Sequence, residues 1–353
     1  QRFDDFVTVD WQQDELNDHQ ALVVKNHLGL QRSWKKRISQ ISLNWLVLTL
    51  VGALIGIIAA CLNIMTAWLS NIRVGHCIGA IHLSRELCCA SEGGSGEGEC
   101  LRWKPWFEKA EILNYLIYLA TAALFSLTSA TIVKRFAPAA AGSGISEIKC
   151  IVSGFLMRGF LGWSTLVIKS IGLPLAIGLG LSLGKEGPSV HYAVCVGNCV
   201  SKLFKRYKNS PLKAREFLTA ALAAGVAVAF GSPMGGVLFS MEEISSVFQL
   251  ATIWKSYFCA LVAVGTLATI NPFGTGQLVI FEVTYDTNWH YFEIPIYIVL
   301  GIFGGLYGIL ISKFNKRVVS FRKRYLGRFA LEEAVTLAIL TALFCYFNQF
   351  LRY

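Results

Sequence analysis

From position 44 to position 70 this chain carries no charged side chain, and that run leaves few folds open. A bilayer core takes roughly 20 apolar residues to cross as a helix. Lipid offers backbone groups no hydrogen-bond partner, so such a run must satisfy its own N–H and C=O groups as a spanning helix. Further apolar segments follow at about 112–133, 165–183, 188–203, 217–239, 252–270, 293–312 and 331–350. Hydrophobic residues make up 54% of the chain and charged residues 15%, where soluble domains carry roughly 25% charged. The expected class is an all-α polytopic membrane protein. The first forty residues are polar and charged, unlike a signal peptide, and are expected to form a soluble N-terminal arm.

Several of the apolar segments are short or interrupted by Gly and Pro. Broken segments are tolerated at membrane depth only where protein buries them or where they line a cavity. Uniform spans would suit a receptor; this mixture suits a transporter with discontinuous helices around a midplane site. Basic residues supply an orientation. Arg32, Lys35, Lys36 and Arg37 precede the first span. Lys202, Lys205, Arg206, Lys208, Lys213 and Arg215 form a second cluster, and Lys313, Lys316, Arg317, Arg322, Lys323, Arg324 and Arg328 a third. The excess of Lys and Arg on cytoplasmic loops makes all three cytosolic. The net charge of +10 is then accounted for without nucleic acid as a partner.

With the arm cytosolic, the polar loop 72–107 is luminal or extracellular. It contains Cys77, Cys88, Cys89 and Cys100. Oxidising compartments permit disulfides, and one or two bridges are expected. No Cys-x2-Cys pair or His cluster supports a metal there, so none is expected. The remaining six cysteines fall mostly in apolar segments and read as packing residues.

Three motifs interrupt the apolar pattern. Gly184-Lys185-Glu186-Gly187-Pro188 sets a carboxylate between glycines at the apparent start of an apolar helix. Helix starts present unpaired N–H groups and attract anions. A tethered glutamate there can occupy an anion site or, when protonated, leave it. Gly142-Ser143-Gly144-Ile145-Ser146-Glu147 also opens a helical stretch. Alone it is an ordinary turn with serine as a good N-cap. With the backbone capped otherwise, the hydroxyl can donate to an anion, and the glycines allow close approach. The third motif runs from Gly231 to Glu243 and ends in two adjacent acids, Glu242 and Glu243. Its glycines read as close-packing positions. Acids near membrane depth are costly and mark proton or ion routes. Gly-Lys-Glu-Gly is not a phosphate-binding loop, which needs Gly-x4-Gly-Lys-Ser/Thr after a strand, and no enzyme is expected.

Together the motifs resemble the CLC family of chloride channels and chloride/proton antiporters. Gly142 to Glu147 is similar to that family's GSGIPE, with Ser146 in place of the usual proline, and Gly184 to Pro188 matches its GKEGP. Asn271-Pro272-Phe273-Gly274, Glu243, the run Trp254 to Cys259 and the run Phe281 to His290 look like the intracellular eukaryotic antiporter branch, most like its fungal Golgi and endosomal member. The resemblance implies a fold of inverted repeats with discontinuous helices. It implies that Ser143, Gly144, Lys185, Glu186 and Gly187 bind chloride, through the Ser143 hydroxyl and backbone amides. Glu186 would be the gating and proton-coupling glutamate. Glu243 would be the inner proton acceptor, with Glu242 the second candidate.

On this resemblance residues 1–40 form the arm, 41–270 the first half of the transmembrane domain, and 271–353 the start of a truncated second half. The family's later motifs and its nucleotide-binding cytosolic CBS domains are not found in these residues. No cofactor is expected in this chain; chloride is the transported ion. The implied activity is coupled chloride/proton exchange across a Golgi or endosomal membrane, by a homodimer in contact with lipid. The other reading is a passive voltage-gated chloride channel of the same family, which usually replaces the inner acid.

Overall fold

The computed structural model describes residues 8–10, 13, 16–17, 20, 23–24, 34–81, 83–90, 102–157, 159–204, 207, 211–244, 250–270 and 290–347. Cys100 and residues 271–289, with Asn271 to Gly274, lie outside them.

The first span is one long helix, α1 (Trp34–Ile72). It starts ahead of the uncharged run, so its first turns carry polar side chains. A loop with its own small fold follows. Strands β1 (Gly75–Cys77) and β2 (Trp103–Pro105) pair antiparallel, with Cys77 opposite Trp103. The short helix α2 (Arg85–Ala90) lies between them in sequence. A Cys77–Cys88 disulfide ties β1 to α2, and Cys89 is disulfide-bonded as well. Trp106 donates from Nε1 to the Ile72 carbonyl at 2.9 Å and leans on His76 with ring centroids 4.9 Å apart. The loop is thereby fastened over the end of α1.

The other helices are α3 (Glu111–Phe136), α4 (Ile145–Val152), α5 (Trp163–Gly178), α6 (Glu186–Leu203), α7 (Pro211–Phe230), α8 (Pro233–Phe239), α9 (Leu250–Ile270), α10 (Ile294–Phe321) and α11 (Ala330–Phe347). The core lies where α6, α7, α9 and α1 meet. Every residue of α6 from Ser189 to Ser201 is buried, as expected of a helix enclosed on all sides. Small residues set the closeness. A Cβ added to Gly52 on α1 would lie 2.7 Å from the Cys259 carbonyl oxygen on α9, so glycine lets these two helices touch backbone to backbone.

Charged side chains in the fold have assigned tasks. Arg73 is buried, donates to the Gly178 carbonyl at 2.8 Å and lies 4.1 Å from the centre of the Tyr118 ring. It places a cation on the carbonyl end of α5, where the helix dipole favours one. Glu216 on α7 receives Lys213 at 2.9 Å and also Lys255 from α9, stapling the two helices. In the arm, Val9 donates its N–H to the Gly154 carbonyl at 2.8 Å, beside a Thr8–Phe155 bridge.

Three expectations change. The segment 217–239 is two helices: α7 ends at Phe230, and α8 begins at Pro233 with Ser232 accepting from the Gly235 N–H. The segment near 293–312 extends to Phe321, its later charges lying along the helix and not ending it. Among the free cysteines, Cys61 and Cys150 are exposed and do not pack in the core. α10 has no buried residue, whereas α11 rests on α3 through Tyr118, Ala122 and Ala342.

Candidate anion site

The two glycine motifs, far apart in sequence, meet in the fold. α4 starts after Gly144, which takes the left-handed conformation at φ 84° with no side-chain cap. Ser143 is therefore not the N-cap the sequence favoured. Its Oγ makes no hydrogen bond among the described residues. The first α4 amide in the ladder is Ile148, bonded to the Gly144 carbonyl at 3.0 Å, which leaves the N–H groups of Ile145, Ser146 and Glu147 ahead of it.

α6 starts at Glu186 after Lys185, again with no side-chain cap. Its first ladder amide is Ser189, bonded to Lys185 at 2.9 Å. Pro188 has no N–H, so Glu186 and Gly187 supply the free amides. The two starts touch. A Cβ on Gly187 would run into Ser143 Oγ and lie 2.9 Å from Ser143 Cβ. Two uncapped helix N-termini thus meet at one unbonded hydroxyl, the set of donors that suits an anion.

The junction opens on a cleft of about 350 Å³ lined by Ser129, Gly142, Ser143, Lys169, Gly184 and Pro188. The Glu186 side chain is exposed and folds back so that its carboxylate lies over Gly184, where a Cβ would collide with Oε2. Gly184 thereby leaves the carboxylate room at the mouth of the cleft. Lys185 is placed differently: it lines a second cavity of about 220 Å³ with Asn63, Thr66, Ser189 and Tyr192.

Glu242 and Glu243 sit on a widened turn, Ser240–Ile244, after α8. Both are exposed, and Glu243 lies 3.5 Å from Lys149 Nζ, one turn along α4 from its start. They are not part of the Ser143–Gly187 junction.

Two side chains at the junction were not foreseen. Lys169 on α5 is 5% exposed and donates to the carbonyls of Gly142 at 2.5 Å and Ala140 at 3.0 Å. A lone lysine inside an uncharged span was the available signal, since ionisable groups in such segments are rare and have tasks. His191 on α6 is fully buried beside Gly144. Nothing in its local sequence marks it.

Among the described residues four helices, α1, α3, α9 and the stretch containing α10, are long and apolar enough to cross a membrane. With broken helices meeting between them, the molecule is an integral multi-pass membrane protein. The chain belongs to the voltage gated chloride channel family, whose model matches residues 125–352. It is 43% identical over 367 residues to the H+/Cl− exchange transporter 5 of Rattus norvegicus, covering 99% of this chain and 45% of that protein. The match to the H+/Cl− exchange transporter 3 of Homo sapiens is also 43%, over 368 residues and with the same coverage. A probable chloride channel protein of Mycosarcoma maydis is 53% identical over 281 residues, 80% of this chain and 25% of that protein. The chain thus spans about half the length, or less, of the curated relatives it matches. Among solved structures, a eukaryotic CLC transporter superposes with a TM-score of 0.68 at 23% identity, over 88% of this chain and 50% of that one. A slow cyanobacterial Cl−/H+ antiporter gives 0.68 at 22%, over 85% and 63%. These two share the fold.

Proposed function

We propose that this chain carries the anion site of a chloride/proton antiporter in a Golgi or endosomal membrane. The observation that carries the reading is the contact of Ser143 Oγ with Gly187 between two uncapped helix starts, with Glu186 the adjacent residue. A chloride entering there exchanges water for the Ser143 hydroxyl and the leading amides of α4 and α6. Each helix start favours an anion by about 0.3–1 kcal/mol, more when partly buried.

Glu186 supplies the link to protons. Ionised, its carboxylate is an anion on a short tether and competes for the same donors. Protonated, it has no charge for them to hold, and the site passes to chloride. One side chain so converts proton uptake into chloride movement. Glu243 serves as the cytosolic proton acceptor, with Glu242 as the second candidate. The named exchangers among the relatives support exchange over passive conduction, and the basic clusters support a cytosolic arm. The protein works as a homodimer with one pathway per subunit.

The test is Glu186→Ala in the intact protein, reconstituted in liposomes. Chloride flux should persist and proton flux disappear. Chloride-driven proton pumping at the unsubstituted rate would refute the role of Glu186. Chloride flux with no proton flux in the unsubstituted protein would make it a passive channel.

A further inference from the structure

Gly187 and His191 are four residues apart on α6, so they lie on one helix face. That face receives the Ser143–Gly144 turn in a reciprocal way. Ser143 fits against Gly187, which has no side chain. The imidazole of His191 fits against Gly144, which also has none: a Cβ there would lie 2.6 Å from Nδ1 and 2.9 Å from Cγ. On α6 a gap and a projection alternate, and the turn presents a projection and a gap to match.

The histidine is itself held. Its ring stacks on Phe160 with centroids 4.3 Å apart and planes 11° from parallel. Nε2 lies 3.4 Å from the Phe160 carbonyl. A carbonyl only accepts, so Nε2 carries the hydrogen and Nδ1 presents a bare lone pair to the turn. Nδ1 is buried and has no hydrogen-bond partner among the described residues. An unsatisfied buried polar atom destabilises a fold, and a residue present for packing alone would be better apolar. The same turn is held by Lys169, which donates to the Gly142 and Ala140 carbonyls. The Gly142–Gly144 turn is thus held by a buried cation at Gly142 and a buried ring at Gly144.

We propose that His191 is a positioning residue of the anion site, fixing the Gly144 turn so that the Ser143 hydroxyl and the first amides of α4 face the ion. It touches no ion itself. Lys169 is its counterpart at the Gly142 end of the turn. This rests on the anion-site reading above and goes beyond it, since neither residue belongs to the motifs that define that site.

The experiment measures chloride flux against chloride concentration, per folded protein, for the intact protein in liposomes. Ser143→Ala provides the reference for a lost donor. His191→Ala leaves a gap into which the turn relaxes, and should raise the half-saturating chloride concentration about tenfold, equivalent to ~1.4 kcal/mol. The proton-to-chloride ratio should not change, because Glu186 is untouched. His191→Gln refills most of the volume and should return the value to within about threefold of the parent. A residue that only stabilised the fold would lower the yield and leave the half-saturation of the folded fraction alone. Half-saturation within twofold of the parent in His191→Ala, or equal impairment in His191→Gln, overturns the proposal. Should His191→Ala yield no folded protein, Lys169→Met must show the shift, and an unshifted value there overturns it equally. Absence of saturable chloride flux in the parent removes the anion-site reading and this inference together; normal parent flux with unshifted variants removes only the inference.

Discussion

Gly187→Ala isolates the contact on which the site depends. Gly187 is not among the glycines at positive φ, so alanine suits the backbone there. Helix propensity favours the change by up to about 1 kcal/mol. The cost comes from across the junction, where the new methyl meets Ser143 Oγ, lies 2.9 Å from its Cβ and 3.3 Å from its Cα. A rotamer change frees only the hydroxyl; the Cβ and Cα must move with the turn. Insertion of a methyl into a packed contact costs about 1–3 kcal/mol, so the fold loses ~1 kcal/mol net after the helix gain. The anion site loses more. Displacing Ser143 removes a hydrogen bond to a charged partner, about 1.5–3 kcal/mol, and ~2 kcal/mol is a roughly thirtyfold rise in half-saturating chloride. Flux titrations in liposomes read that rise, while thermal unfolding in detergent reads the smaller stability change. Ser143→Gly, which removes Oγ and Cβ, the two nearest atoms, should make Gly187→Ala nearly silent in the double variant, a coupling of about 2 kcal/mol. Unchanged half-saturation in Gly187→Ala, or strict additivity in the pair, would show that the two motifs do not form one site.

Glu243→Ala should keep chloride flux and lose proton flux, measured side by side in vesicles; if Glu242→Ala gives that result and Glu243→Ala does not, the assignment between the neighbours is reversed. Glu216 is 14% exposed on its side chain and paired with Lys213 and Lys255, so Glu216→Gln removes the negative charge that joins the two helices and should destabilise the fold by about 2 kcal/mol, discounted for partial exposure of the lysines from the cost of a broken buried pair; an unchanged unfolding midpoint counts against the staple. Cys88→Ser opens the Cys77–Cys88 bridge and should speed proteolysis of the 72–107 loop, with transport retained because no residue of that loop lines the Ser143 cleft; a protease pattern identical to the parent's would show that the bridge does not hold the loop.

The spans were legible because lipid admits so few backbone solutions, and α3, α6 and α9 begin and end close to their apolar runs. The break between α7 and α8 was less visible. Val226 to Phe239 reads as one apolar stretch, although Ser232 before Pro233 is an N-cap followed by a proline at the first helical position; hydropathy masked the capping signal. Ser143 and Glu186 stood out through their glycines, which serve no purpose in a plain spanning helix. Their contact was not derivable from spacing, because the partner of Ser143 is the absence of a side chain at Gly187. His191 was invisible for a related reason. A single histidine in an apolar helix acquires its role only when folding brings Gly144 against its ring.

The helices divide into two physical kinds, and assembly inherits that division. α10, which buries nothing, has its amide groups satisfied along its own axis and can enter lipid with no partner. The long α1, α3 and α9 likewise satisfy their backbone groups along their own axes. α4, α5 and α8 are too short to cross, and α6 is buried from Ser189 to Ser201, so these helices are held by the others around them. Integration is therefore expected first for the long helices and docking second for the others, which would complete the Ser143–Gly187 junction last. A substitution at Gly144, Gly187 or His191 would accordingly leave the long helices and the disulfide loop as they are and loosen only the contacts made between the broken helices.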